Sequence, residues 1–158
     1  MGFSDWLLSL HLLAAFALVS GVVAIAAVNV AAVRRERPSE IALLMGLGKV
    51  PQIVLQVGLA GTLVSGIWLA IDLDAYSITD GWILAAIALW IVGSALGGIG
   101  GARAQRVHAE VDRAAAAGDV ATPELLAQVR DRSRFALHAG SGLATLLILI
   151  LMIWKPGA

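Results

Sequence analysis

Three histidines (His11, His108 and His138), Met152 and the polar string Lys49, Gln52 and Gln56 are the residues of this chain best equipped for chemistry. There is no cysteine. That removes disulfides, iron–sulfur clusters and thiol catalysis, and leaves metal chemistry to imidazole, thioether and carboxylate. His11 stands in "WLLSLHLLAAF", residues 6–16, among leucines and alanines. An imidazole there serves either as a hydrogen-bonded structural group or as an axial ligand of haem b, with Met152 completing a His/Met pair. The same two side chains suit Cu(I). Asn29, Lys49, Gln52, Gln56, His138, Ser141 and Thr145 form a second set, an intramembrane polar cluster that is either a small cavity or interhelical hydrogen bonding. His108 precedes Asp112 at four-residue spacing with Glu110 between, which on a polar helix reads as a solvated face rather than a metal site. No nucleophile–base pair, Walker loop or dinucleotide fingerprint is present, and "GGIGG" lies in an apolar helix with no strand before it. No catalytic residue is assigned.

The elements that must position these groups are membrane helices. Of 158 residues, 59% are hydrophobic and 14% charged, with mean hydropathy +0.89, far from a soluble domain. The formal net charge is zero, so nothing points to nucleic acid. Apolar runs of the roughly 20 residues needed to cross a bilayer cover about 6–33, 45–71, 82–102 and 135–154. The fold class is therefore all-α, an integral-membrane four-helix bundle in one domain, 1–158. Arg34, Arg35 and Arg37 lie in the first loop, and Arg103, Arg106, Arg113, Arg130, Arg132 and Arg134 in the third, which together hold nine of the eleven basic residues. The positive-inside rule makes these loops cytoplasmic. Asp72, Asp74 and Asp80 occupy the second loop, and Trp6, Trp68, Trp82 and Trp154 mark the opposite interface, so both termini face out. "MGFSDW" carries an acid where a signal peptide has positive charge, so the first helix is expected to stay.

Residues 103–134 are expected to form a cytoplasmic helical hairpin. The third helix continues into it and ends near Gly118, and a helix capped by Thr122 with Pro123 at its first position feeds directly into the fourth span. Close packing in lipid depends on small residues, and the chain has seventeen glycines. Gly93, Gly97 and Gly101 make a row on the third helix, Gly58 with Thr62 and Gly61 with Ser65 on the second, and Gly140 with Ala136 and Ala144 on the fourth. These rows serve the bundle, a homo-oligomer or another membrane subunit. At ~1.5 Å per residue His11 lies about 7.5 Å below Trp6, Met152 about 3 Å below Trp154, and His138 about 24 Å below Trp154. His11 and His138 therefore do not share one iron.

The stretches "LHLLAAFALVSG", "GKVPQIVLQVGLAGTLVSGIWLA", "GWILAAIALW" and "LMIWKPG" together resemble a family of uncharacterised bacterial integral-membrane proteins. That family looks related to the membrane domain of copper-resistance protein D and, distantly, to HemJ-type protoporphyrinogen oxidase. The resemblance implies that His11 corresponds to a haem- or metal-binding position, and that Pro51 and Gly66 stand where the second helix bends and packs. The third helix, "WILAAIALWIVG", departs from HemJ-type enzymes, in which a lysine and further polar residues are expected there. Copper-resistance relatives are richer in histidine and methionine. The expectation is a multi-pass protein of the bacterial cytoplasmic (inner) membrane, in contact with lipid. It acts as a non-catalytic accessory or interaction subunit or as a binder of a small hydrophobic ligand. The alternatives are a b-type haem redox protein using His11 and, more weakly, transport of copper, an ion or a small solute. No acid lies mid-span, and above Gln56 the second helix offers only Thr62 and Ser65 to a transport path.

Overall fold

In lipid, a backbone must satisfy its own hydrogen bonds, so an apolar chain of this kind folds into helices. The computed structural model describes residues 2–72, 77 and 79–156. Its helices are α1 (Phe3–Ala32), α2 (Pro38–Leu47), α3 (Lys49–Asp72), α4 (Gly81–Ala116), α5 (Pro123–Val129) and α6 (Arg132–Trp154), with no strand among the described residues. Four stretches are long and apolar enough to cross a membrane: Phe3–Ala32, Pro38–Asp72, Gly81–Ala116 and Pro123–Trp154. Asp74 lies outside the described residues.

Local chemistry sets the breaks between helices. Pro51 has no N–H, so the Leu47 carbonyl loses its helical donor and α2 separates from α3 at Gly48. The chain re-enters the helix at once, with Gln52 N donating to Gly48 O at 3.0 Å. α2 itself starts at Pro38, well ahead of the start near residue 45 that apolarity suggests, because Pro38 is preset for the first helical position. α4 ends at Ala116, and Gly118 takes the left-handed φ of +120° that turns the chain. Thr122 caps α5, its hydroxyl accepting from Leu125 N at 3.2 Å. The expected direct run from that helix into the last span does not occur. Asp131 accepts from Ser133 N at 2.9 Å and so starts a new helix, and Arg130 and Asp131 form the joint.

Two tight helix pairs result. α1 packs on α3 through glycines: a Cβ built on Gly58 would lie 2.4 Å from Leu18 N, one on Gly21 2.7 Å from Leu55 Cβ, and one on Gly61 2.9 Å from Ala14 Cβ. α4 packs on α6 in the same way, with Gly93 against Ala144, Gly97 against Ser141, Gly100 against His138 and Gly140 against Leu96. Gly101, placed by spacing in the row of Gly93 and Gly97, meets nothing within 4 Å. Four-residue steps advance the helix by roughly 40° each, so Gly101 has turned about 80° from Gly93 while Gly100 stands within about 20° of it.

At the tryptophan end each pair is closed by its own contacts. Ser4 Oγ donates to Asp72 Oδ2 at 2.7 Å, Phe3 and Trp68 rings lie 5.6 Å apart, and Lys155 Nζ sits 5.9 Å from the Trp82 ring centre. Between the pairs, Trp90 Nε1 donates to the Leu59 carbonyl at 3.2 Å. The main joint is at the arginine end, where Ala32, Ile41, Val111, Leu125 and Val129 form a core contributed by α1, α2, α4 and α5. Arg130 Nε also donates to Val33 O at 3.3 Å across this joint.

The turn after α4 is pinned to α2 by Asp119, whose carboxylate accepts from Ser39 N and Ser39 Oγ, both at 2.7 Å. These two donors hold the Asp119 carboxyl below its ordinary value. A lowered folded value stabilises above the unfolded value, about 3.9, and that contribution is lost as pH falls through the folded one. The protection of the Ser39 amide, measured against an unstructured amide at the same pH, should therefore fall below about pH 4, and Asp119→Asn should abolish that loss of protection with pH. An acid limb that persists in the variant would show that another group anchors the turn.

Candidate functional site

His11 sits between α1 and α3 and is 8% exposed. Its Nδ1 lies 2.9 Å from Ser65 Oγ. The Ser65 hydroxyl donates to Gly61 O, and in the Nδ1–H tautomer the imidazole donates to that hydroxyl. Gly66 supplies the space: a Cβ there would stand 3.0 Å from His11 Cε1. The imidazole is thus fitted into a niche on α3 made by Ser65 and Gly66. Met152 is on α6, half-buried, and the residues that meet His11 in these contacts all belong to α3.

The second set is partly gathered. A cavity of about 290 Å³ opens between the two helix pairs near the arginine end. Polar groups reach it from four helices: Asn29 of α1, Lys49 and Gln52 of α3, Gln105 and His108 of α4, and His138 of α6. Ile25, Val28 and Met45 supply its apolar wall. His138 Nε2 is buried and has no hydrogen-bond partner, which leaves a polar group needing one. Gln56, Ser141 and Thr145 are not part of this lining. Gln52 and Leu59 share the line of α3 that faces α4, whereas Gln56 stands roughly 40° further round, away from α1, and is exposed. Ser141 packs its Oγ beside Gly97, and Thr145 Oγ1 donates to Ser141 O at 3.1 Å, so both are occupied within the α4–α6 pair.

Gln105 and His108 are the members that sequence spacing alone did not select. The signal was available: Gly101, Ala104, Gln105 and His108 stand at i, i+3, i+4 and i+7 spacing and so share one face of α4. His108 Nε2 is 3.5 Å from Asp112 Oδ1, an ion pair when the imidazole is protonated. Among the described residues no group of three or more His, Asp or Glu is arranged to hold a metal ion. The chemistry on offer is hydrogen bonding to a small molecule with one polar and one apolar side, and nothing in the cleft pairs a nucleophile with a base.

The family model described as "Predicted integral membrane protein (DUF2269)" matches residues 5–156. The match covers nearly the whole chain, which belongs to that family. It bears out the uncharacterised membrane family of the resemblance, without reaching its relation to copper-resistance protein D or to HemJ-type protoporphyrinogen oxidase. No curated protein and no solved structure matches.

Proposed function

We propose that this DUF2269 member is a non-catalytic membrane protein that binds a small amphipathic ligand in the cleft between its two helix pairs. The observation that carries the reading is the convergence of Asn29, Lys49, Gln52, Gln105, His108 and His138, from four helices, on one cavity with an apolar wall. Asn29, Lys49, Gln52 and His138 fall within the expected spans, where polar groups are costly and are retained where a ligand or a path uses them. A site of this kind, mostly apolar with a few convergent polar groups, is the usual form of a small-molecule pocket. The haem reading rests on His11 with Met152, and that imidazole is already bonded to Ser65 and fitted against Gly66.

Gly101 gives a clean test. It lines the cleft, and a Cβ there meets nothing within 4 Å, so Gly101→Leu can leave the helix backbone in place and should fill the cavity. Gly98 also has open space around it but does not line the cleft. Native mass spectrometry of the protein released from mild detergent should show a bound small molecule in the wild type and in Gly98→Leu, and none in Gly101→Leu. A bound species that survives in Gly101→Leu, or a wild type that carries none from its own membrane, removes the reading.

A further inference from the structure

A second cavity, of about 550 Å³, lies at the arginine end between α4 and the α5–α6 joint, lined by Arg103, Arg106, Glu110, Gln128, Asp131 and Arg134 among others. It shares no residue with the cleft above. Arg134 is 2% exposed. Its Nη2 donates to the Val129 carbonyl at 2.6 Å, closing the end of α5, while its buried Nη1 has no partner. A buried cationic donor left unmatched costs more than a neutral one. Arg103 Nη1 reaches Ser133 Oγ at 3.2 Å. Among the described residues no carboxylate lies within 4.0 Å of a guanidinium nitrogen of Arg103, Arg106 or Arg134. Asp131 accepts from both N and Oγ of Ser133 and attracts Arg103 and Arg134 at longer range. Three arginines therefore face two carboxylates across one cavity, and the excess is positive.

The depth of this cavity narrows its occupant. Arg103 follows Trp82 by about 32 Å of helix and Arg134 precedes Trp154 by about 30 Å, which matches the ~30 Å thickness of the hydrocarbon core. If the tryptophans mark one interface, the arginines stand at headgroup level on the other. We propose that this cavity binds a phosphoryl group, carried by an anionic lipid headgroup or by a soluble phosphate ester. The guanidinium fork matches phosphate oxygens in pairs, and basic pockets between membrane helices are where phosphorylated headgroups are held.

The lipid arm uses protein in nanodiscs of phosphatidylcholine and phosphatidic acid, with the lipids retained after release read by native mass spectrometry. The wild type should retain phosphatidic acid about tenfold over its share, and Arg106→Gln, an exposed residue with no hydrogen bond to lose, should cut that preference severalfold. Arg34→Gln, at the same end but outside the cavity, should leave it unchanged. The soluble arm titrates inorganic phosphate into the protein in a non-ionic detergent by calorimetry. Heat of binding that Arg106→Gln removes, without a lipid preference, assigns the site to a soluble phosphate ester. Arg134→Lys keeps the charge and loses the fork, and should weaken whichever ligand binds; if that variant does not fold, Arg106→Gln decides alone. A lipid preference that falls equally in Arg34→Gln reports diffuse surface charge and overturns the proposal. So does the absence of both the preference and the phosphate heat.

Discussion

Gly58→Ala should destabilise the protein by about 2 kcal/mol through one added methyl group. The added Cβ would lie 2.4 Å from Leu18 N, 2.8 Å from Leu18 Cα and 2.8 Å from Ala14 O. All three atoms are backbone of α1, so no side chain can swing aside and the helix as a whole must move. Overpacking typically costs about 1–3 kcal/mol, and a rigid backbone neighbour places this site at the upper end. The better helix propensity of alanine returns up to about 1 kcal/mol. Gly98→Ala supplies the comparison, since its Cβ meets nothing within 4 Å; it should be neutral or slightly stabilising. Equilibrium unfolding in mixed detergent micelles reads both. If Gly58→Ala is tolerated as well as Gly98→Ala, the close α1–α3 approach is wrong, and with it the niche that holds His11 against Ser65 and Gly66.

The spacing of Gly58 with Thr62 and Gly61 with Ser65 was legible because small residues at four-residue steps keep to one side of a helix for two turns. Over a third turn the same rule drifts, which is why Gly101 faces open space and Gly100 takes the contact with His138. The four apolar stretches were legible for the simplest reason: bilayer thickness demands about 20 apolar residues and nothing else in the chain imitates that length. Orientation in the membrane rests on the arginine pattern alone. The polar cleft was half legible. Asn29, Lys49, Gln52 and His138 are polar residues at one end of apolar runs, but only the placing of one helix pair against the other decides that Gln105 and His108 line the cleft and Gln56 does not. In the sequence Arg134 is one of six arginines between the third and fourth spans, and its burial depends on α5 folding back to offer the Val129 carbonyl. No helical stripe announces that.

The clamp at the arginine end sets the second large effect. Ile41→Ala should cost about 3 kcal/mol, within the range of 2–5 for removing a buried branched side chain. Ile41 is 0% exposed and packs with Ala32, Val111, Leu125 and Val129, so the truncation leaves a cavity that its neighbours line on every side. Leu13, on the lipid-facing side of α1 and 66% exposed, supplies the contrast. Leu13→Ala should cost well under 1 kcal/mol, because its side chain contacts lipid in the membrane and gains little from the fold. The difference has a functional consequence. Within the membrane the α1–α3 and α4–α6 pairs are joined by few contacts, Trp90 to Leu59 among them, so the Ile41 core holds the pairs at the separation that makes the cleft. Ile41→Ala should therefore loosen ligand retention in the cleft more than its stability loss alone explains, whereas Gly58→Ala, acting inside one pair, should lower stability with a smaller effect on retention. Native mass spectrometry and micelle unfolding on the same two variants separate these outcomes. Equal retention at equal stability would show that the cleft does not depend on the clamp.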